Sequence, residues 1–590
     1  MALTQGQLGL TVRVRNEIMV ADIPSSVKAA EQWLDQLPIA DMGETASKVF
    51  HYLYDLNQSP LSPKDRLQIL ETIVPTCETL IDSLSEVYVH SPLKYSHKLQ
   101  SASELVHALA SELVFGFNAV IEDLNNASEL LEKYGKTILP AACANSLHYL
   151  GEIQLQRYQL YKSVGSKIWR QQNIIFKLAT ANDFLEHKLK KSSTELVSVK
   201  KQLLINLVLS ICNPYQMKHG EASDVYNALQ ILTNHIQLLP TLNNDTLFAY
   251  LPDTEIPPQP ANAIENESQK KYGIDLTQAV GMLENSMMEK KGGLFGRFKK
   301  TAEIKLEEDL KAQILESWNT VKTRNFIRIN SNDSTQVAVG LASSHHFLVD
   351  RGGQQLHDRF FGKSKEKPAF QVESLELEQE ESQHGFVWKT SKPRGMDIQD
   401  KRKSEDAFAS IYKPRTFDER KLDKENNPYK ELKTRVKYQW ISGVVKDVSP
   451  AGFCVAFEKA PSQYAETNEL VTVKNLKSGQ EMYNLGLIRW NRWQGHDVFL
   501  IGVELISPEA MPVRATLDWD YAKPAYHHNG LLLPEMPNAG VDSSIILPPL
   551  GYRSGQTVAI MTPEEEYKVE LTRKVIETDN FIQFHFRKRP

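Results

Sequence analysis

Apolar side chains in the first 240 residues recur at the spacing of an amphipathic helix. Clear stripes of this kind cover residues 27–37, 105–124 and 225–239. Apolar positions three or four residues apart share one helix face, so each stripe predicts a helix that buries this face in a core. Ser62 followed by Pro63 predicts a helix start, because serine caps helices and proline fits their first turn. We therefore expect an all-helical N-terminal domain over residues 1–250.

The composition changes after this region. Residues 251–300 are rich in Pro, Asn and Glu at first, and they end in the basic sequence KKGGLFGRFKK at 290–300. We interpret 251–300 as a linker with a solvated basic segment. A further amphipathic stripe predicts a helix over about 302–323.

Beyond residue 330 the period of the pattern falls to two, which is typical of half-buried strands. The alternation begins with Thr335, Val337, Val339 and Leu341. Strand patterns return at 440–457, 470–473, 485–490 and 498–505, and again near the C-terminus. Short strands separated by turn residues predict a small antiparallel barrel.

The barrel pattern is interrupted by the charged residues 349–436, which we interpret as an insertion because such a composition buries little apolar surface. The predicted fold class is therefore α+β. The helical domain and linker precede a split barrel over 301–515, and a C-terminal β module follows over 516–590.

Charge and cysteine usage narrow the class of protein. The 590 residues carry a formal net charge of −5, so no bulk positive charge is present to bind a nucleic acid polymer. The four cysteines lie far apart without a CxxC pair, which argues against a disulfide framework and a cysteine-rich zinc site. We therefore predict a reducing, cytoplasmic location, and no metal.

No segment predicts export or membrane insertion. The N-terminus lacks the basic start and apolar core of a secretory signal. The longest apolar run, Leu203 to Cys212, has about half of the roughly 20 residues that a membrane span needs. We expect no transmembrane segment.

Two motifs stand next to the predicted barrel strands. Arg324 and Arg328 form an RxxxR sequence just before the first strand. Asp447, Ser449 and Gly452 form a DxSxxG sequence where one strand turns into the next. Each motif alone also fits a plain structural role, because arginines are favourable near helix C-termini and Asp, Ser and Gly are common in turns.

Their order, with strands that close on GLIRW and IGVEL, resembles the PilZ domain, the bacterial receptor module for cyclic di-GMP. The resemblance covers about residues 318–348 and 437–507. It implies an antiparallel barrel that binds cyclic di-GMP through the residues of the two motifs, without a cofactor. It also implies outputs such as motility, pilus function or exopolysaccharide production.

The residue types suit this ligand. A guanidinium can hold a phosphate by two parallel hydrogen bonds, read guanine O6 and N7, or stack on a base, so we expect Arg324 and Arg328 to fold over the ligand. Asp447 can accept from the N1 and N2 edge of guanine, and Ser449 offers a hydroxyl. Gly452 permits a tight turn and a close approach of the ligand to the backbone.

The arm and the turn motif are 119 residues apart, whereas PilZ domains separate them by a few tens, so an insertion is required. Two other arms stand closer to the turn motif. Arg415 and Arg420 have one residue too many between them, and Arg435 is followed at the fourth position by Gln439. If either is the true arm, the site is degenerate.

The leading hypothesis is a non-enzymatic cyclic di-GMP receptor that passes the signal to a protein partner through its helical domain. The alternative is a PilZ-like adaptor that binds no ligand and only makes protein contacts. A hydrolase within the helical domain has the least support, because no acid and base pair and no phosphate loop, GxSxG or HExxH motif is found. Enzymes that make or degrade the messenger carry GGDEF or EAL-type sequences, which this chain lacks.

Overall fold

The described part of the computed structural model divides into two compact units, residues 3–320 and residues 327–589. Each unit has its own core. The residues described are 3–20, 23–89, 97–189, 198–243, 246–264, 269–289, 304–320, 327–361, 438–458, 465–477, 480–495, 497–517, 527–537 and 540–589.

Helices make up most of the first unit, which confirms the predicted helical domain. They are α1 (Val27–Leu34), α2 (Met42–Gln58), α3 (Pro63–Val89), α4 (His97–Asn125), α5 (Ser128–Tyr134), α6 (Ile138–Gln159), α7 (Ser166–Ala181), α8 (Val199–Ile211), α9 (Glu221–Leu232), α10 (Thr277–Glu289) and α11 (Glu308–Asn319). The predicted start of α3 is confirmed, because the Ser62 hydroxyl accepts a hydrogen bond from the Asp65 backbone N–H at 3.2 Å.

Helix α4 lies at the centre of this unit and packs against α3 and α6. Its apolar stripe is buried, with Leu109, Leu113 and Phe117 fully inaccessible. Among the described residues, Lys98–Asn125 is the one helical stretch whose length and composition would suit a membrane span. Because 72% of its apolar window is buried inside the protein, the helix has the environment of a core helix.

Two small β elements add to the helices. The hairpin β1 (Leu3–Gln5) and β2 (Thr11–Arg13) lies against α4, where Glu122 accepts from the backbone N–H groups of Leu8 and Leu10, both at 3.0 Å. A sheet with the order β3-β6-β4-β5 follows α9. Its strands are β3 (Gln237–Leu239), β4 (Phe248–Tyr250), β5 (Gln259–Pro260) and β6 (Tyr272–Asp275).

The first unit extends further along the chain than the sequence analysis expected. Within the predicted linker, β5, β6 and α10 are formed, and Leu283 of α10 is fully buried. Helix α11, expected as the start of the barrel domain, buries Leu310, Ile314 and Trp318 in the same core as the other helices. The boundary therefore follows α11, because apolar side chains of these elements complete the helical core.

The second unit begins with a barrel, as predicted. The strand order is β10-β13-β12-β11-β8-β9, and a further pairing of β9 with β10 closes the ring. Strand β7 pairs with the same edge of β9 as β8, further along that strand. These strands are β7 (Ile329–Asn330), β8 (Ser334–Val339), β9 (Ile441–Ser449), β10 (Gly452–Phe457), β11 (Leu470–Lys477), β12 (Gln480–Gln494) and β13 (Val498–Ser507).

Two helices, α12 (Leu341–Arg351) and α13 (Gly353–Phe361), follow β8 directly. The sequence analysis placed Leu341 in the strand, but Gly340, at φ +90°, ends β8 and Leu341 begins the helix. The predicted insertion therefore starts on packed helices, where Val349 and Phe360 are fully buried. Residues 362–437, which hold the alternative arms at Arg415, Arg420 and Arg435, lie outside the described residues.

The C-terminal β module is a second closed barrel with the order β14-β15-β16-β19-β18-β17. Its strands are β14 (Met511–Leu517), β15 (His527–Leu533), β16 (Ser544–Leu547), β17 (Thr557–Met561), β18 (Glu566–Glu577) and β19 (Ile582–Lys588). The expected boundary at 515/516 falls inside β14, which pairs with β15 and β17 and so belongs to this barrel.

A shared apolar cluster joins the two barrels within the second unit. Leu485 and Leu487 of β12 belong to the same cluster as Leu531 of β15 and Phe581, which precedes β19. Helix α12 contacts strands of both barrels, and the Nε2 of its buried His345 lies 3.2 Å from the Val513 carbonyl oxygen of β14. Because a carbonyl can only accept, this nitrogen carries the proton.

Candidate ligand-binding site

The hairpin of β9 and β10 displays the DxSxxG motif on the outer surface of the first barrel. Asp447 pairs with Cys454, and Ser449 pairs with Gly452 across a two-residue turn. Directly paired positions point to the same side of a sheet. Val445 and Val455 form the next pair along the hairpin, further from the turn, and both are buried. This pair therefore faces the barrel core, and Asp447 faces outward.

Strand β7 brings the arm to this hairpin. Ile329 pairs with Val448 and Asn330 pairs with Asp447, so Arg328 enters β7 beside the turn motif. The Nη1 of Arg328 donates to Oδ1 of Asp447 at 2.8 Å, so the arm and the turn motif are in contact although they are 119 residues apart in the sequence. Their side chains remain 38% and 23% exposed, within reach of a ligand. Arg324, the other arginine of the arm, lies outside the described residues.

Ser449 and Gly452 have roles within the hairpin itself. The Ser449 hydroxyl donates to the Gly452 carbonyl at 3.3 Å. Gly452 has φ +157°, and a Cβ atom there would lie 2.0 Å from the Val503 carbonyl oxygen of β13. The close approach that requires glycine is therefore between β10 and β13. The structure brings the turn motif together with Arg328. It also shows that the hairpin itself accounts for the presence of Ser449 and Gly452.

The register of β12 adds residues that the motif analysis missed. Trp490 pairs with Gly502, which in turn pairs with Cys454, so all three share the outer face with Asp447. The Trp490 indole covers Gly502, where a Cβ atom would meet Nε1 at 2.0 Å. Arg492 pairs with Leu500 on the same face and is exposed. The sequence RWNRW carries this signal, because positions two apart on a strand share a face.

A bulge in β9 adds a further cation. The register shifts between Cys454 and Val455, so Lys446 is the extra residue beside Asp447, and its side chain is exposed. Bulges re-aim side chains in this way and are frequent next to binding sites.

The electrostatics of Cys454 show that these charges converge. The pKa of its thiol is raised to about 11, mainly by burial and also by the negative charge of Asp447. The positive charges of Arg328, Arg492 and Lys446 act in the opposite direction. Three cations and one carboxylate of the outer face therefore act on one buried thiol, and the cations outnumber the carboxylate by two.

Metal chemistry has no donor set here. Among the residues that the structure describes, no group of three or more His, Cys, Asp or Glu could hold a metal ion. The four cysteines are buried and unpaired with one another.

Comparison with known proteins covers nearly the whole chain. Family models match residues 28–241 as "Cyclic-di-GMP receptor FimW, N-terminal domain", 247–512 as its "middle PilZ domain" and 522–589 as the "FimW C-terminal beta-barrel domain". The cyclic-di-GMP receptor FimW of Pseudomonas aeruginosa is 22% identical over 98% of this chain and 93% of its own length. No solved structure matches. The middle part of the chain, residues 247–512, therefore belongs to the PilZ domain family, and models of the other two domains of the same receptor match on either side of it.

Proposed function

We propose that the chain is a cytoplasmic, non-enzymatic receptor for cyclic di-GMP. The observation that carries the proposal is the ion pair of Arg328 and Asp447, which joins the arm to the turn motif on the outer face of the barrel. Its support from relatives is the similarity to a protein named as a cyclic-di-GMP receptor.

The charge of the outer face suits this ligand. A cyclic dinucleotide carries two phosphate charges, and Arg328, Lys446 and Arg492 leave two positive charges in excess over Asp447. Charge-assisted hydrogen bonds from arginine to phosphate are among the strong polar contacts in proteins. We assign the phosphates to Arg328 and Arg492, with Lys446 as a point charge beside them, and extend the assignment to Arg324.

Base recognition is assigned to the same face. The bond from Arg328 uses Oδ1 of Asp447, so Oδ2 can accept from the N1 and N2 edge of guanine. The half-buried Trp490 offers an indole surface on which a base can stack. Ser449 lies at the hairpin end beside them, and its hydroxyl would exchange the 3.3 Å bond to Gly452 for a ligand oxygen.

Titration calorimetry of the full chain with cyclic di-GMP tests the proposal. We expect binding at micromolar concentration or tighter, and a loss of at least 100-fold for Arg328→Ala, roughly the 3 kcal/mol that a charged contact contributes. Arg589→Ala is the matched control, because Arg589 is also an exposed arginine in a carboxylate pair, but in the C-terminal barrel. No heat with the intact protein would refute the receptor and leave the non-binding adaptor.

The signal is proposed to reach a protein partner through the helical domain. The chain passes from α11, which is packed in the helical core, through residues 320–328 to the ligand-contacting arm. A ligand that fixes the arm also restrains this connection, which shifts the population of helical states. Hydrogen exchange of α11 should slow with cyclic di-GMP in the wild type and not in Arg328→Ala. Unchanged exchange in the ligand-bound wild type would contradict this route.

A further inference from the structure

The C-terminal barrel is plugged at one end and open at the other. The loop between β16 and β17 places Tyr552 in the barrel core, where it is 3% exposed and its hydroxyl lies 2.7 Å from Nδ1 of His528. At the opposite end, the inward side chains of Leu532, Tyr567 and Phe586 are only partly buried. Small barrels that are open at one end commonly hold a ligand in the mouth.

This open end contains a cavity of about 430 Å³. Its volume falls within the roughly 300–1,000 Å³ of small-ligand sites. Met511, Leu532, Tyr567 and Phe586 supply an apolar lining, and the side chain of Met511 is 38% exposed. Apolar surface that faces water in a concave site favours an apolar or aliphatic occupant.

The charges around this mouth favour a cation. Glu564, Glu565 and Lys588 line it, so two carboxylates face one ammonium. The Lys588 ammonium lies 4.0 Å from the centroid of the Tyr567 ring and 3.2 Å from Oε1 of Glu565. An aromatic face beside a carboxylate is the chemistry that recognises a basic side chain. Both members of the ion pair are about 60% exposed, so Lys588 can exchange with a competing cation.

We propose that the mouth of the C-terminal barrel binds a lysine or arginine side chain of a partner protein, which displaces Lys588 from Tyr567 and Glu565. Met511 and Leu532 contact the aliphatic stem of the incoming side chain. Glu564 provides a second acceptor for its charged end. This site is separate from the cyclic di-GMP site and does not depend on it.

Methyl NMR on the full chain tests the proposal, with acetyl-Leu-Lys-Leu-amide as the probe. Met511 is one of 12 methionines, and its methyl signal can be assigned from a Met511→Leu variant. We expect this signal to shift saturably with the lysine peptide and not with acetyl-Leu-Glu-Leu-amide. The proposal is overturned if the Met511 signal does not shift with the lysine peptide, or if it shifts equally with the lysine and glutamate peptides.

Three variants separate recognition from a general effect on the barrel. Lys588→Ala should bind the lysine peptide about two- to fivefold more tightly, because it removes the internal competitor from an exposed cation–π contact. Glu565→Gln should bind it more weakly. Glu577→Gln is the matched control, because Glu577 is also an exposed carboxylate paired with a lysine, at the other end of β18. Unchanged affinity in Lys588→Ala, or equal weakening by both glutamate variants, contradicts the assignment.

Discussion

Gly452 shows how the fold itself can require a residue of a proposed ligand-binding motif. In DxSxxG sequences the glycine fits a tight turn, and here the backbone of β13 also occupies the position of a side chain. A Cβ atom at Gly452 would lie 2.0 Å from the Val503 carbonyl oxygen, far inside van der Waals contact. The backbone of two paired strands cannot yield as a flexible side chain would.

Gly452→Ala should therefore destabilise the second unit by more than 2 kcal/mol, as overpacking and a disfavoured φ act together. Gly495→Ala is the control, because Gly495 also has a positive φ, of +68°, but a Cβ atom there would have nothing within 4 Å. We expect it to lose only about 1 kcal/mol. Urea unfolding of both variants measures the difference, and equal losses would show that the Val503 contact has no energetic effect.

Glu469 is a buried carboxyl at the junction of the two barrels. Its Oε1 accepts from the Leu470 N–H at 2.9 Å, and its Oε2 accepts from Nδ2 of Asn580, which follows β18, at 2.6 Å. Its pKa is raised to about 7, mainly by burial and also by the negative charge of Glu466, while the hydrogen bond from Leu470 acts in the opposite direction. The folded protein therefore binds the proton more tightly than the unfolded chain does.

This shift predicts a pH dependence of stability. Between pH 4.5 and 7 the unfolded chain has lost the proton of Glu469 and the folded protein still holds it, so the free energy of unfolding falls as pH rises. Glu469→Gln removes this contribution, which amounts to at most ~3 kcal/mol. Urea unfolding at pH 5 and pH 8 should show the wild type losing more stability than the variant. An identical loss in both proteins would contradict the raised pKa.

At the scale of elements, the residues that flank 362–437 are both fixed on α12. The ring of Phe360, from α13, is 5.7 Å from that of His345. The ring of Tyr438 is 4.7 Å from the ring of His346, which follows His345 in α12. Trp440 continues this contact by stacking on Phe347 at 4.2 Å. The described residues on either side of 362–437 therefore contact neighbouring positions of one helix.

Because the two ends are close, a linker of about ten residues, which spans at most roughly 33 Å, should replace residues 363–436. The shorter connection should raise the stability of the second unit by ~1–2 kcal/mol, because closing a shorter stretch of chain costs less entropy. Cyclic di-GMP affinity should stay within a factor of about three of the wild type, since Arg328, Asp447 and Arg492 lie outside the deleted segment. Calorimetry and urea unfolding test both statements, and a variant that no longer folds would show that 363–436 is required.

At the scale of the whole molecule, the second unit is two barrels that share one apolar cluster. Phe581 belongs by sequence to the C-terminal barrel but is buried with Leu485 and Leu487 of the first. Phe584, three residues later, is buried instead among the inward side chains of its own barrel. Substitution of Phe581 therefore tests the junction between the barrels, and substitution of Phe584 tests the core of the C-terminal barrel.

Phe581→Ala should lower stability by ~3–5 kcal/mol and speed hydrogen exchange in β11 and β12 of the first barrel. Phe584→Ala should cost a similar amount but affect exchange first in β16 and β19, where its neighbours lie. If Phe581→Ala leaves β11 and β12 unchanged, the barrels are energetically independent. Ligand affinity of both variants would then show whether the site needs the second barrel.

The helical stripes, the strand alternation and the two motifs could all be read from the sequence. Helix and strand periodicities place apolar residues on one face, so burial of Leu109 or alternation through Val337 and Val339 follows from local order. The fold class was therefore predictable, and the resemblance of the two motifs to those of PilZ domains pointed to the family. Arg328 and Asp447 were also predicted as site residues, because their chemistry and their order in the chain carry the signal.

Tertiary structure decided everything that depends on pairing between distant segments. Only the register of β7 on β9 shows that Arg328 meets Asp447, and only the register of β12 and β13 adds Trp490 and Arg492 to that face. The same holds for the helical core that takes in α11, and for the plugged and open ends of the C-terminal barrel. Local patterns determine which face of an element is apolar, whereas the partner of that face is selected by the packing of the whole chain.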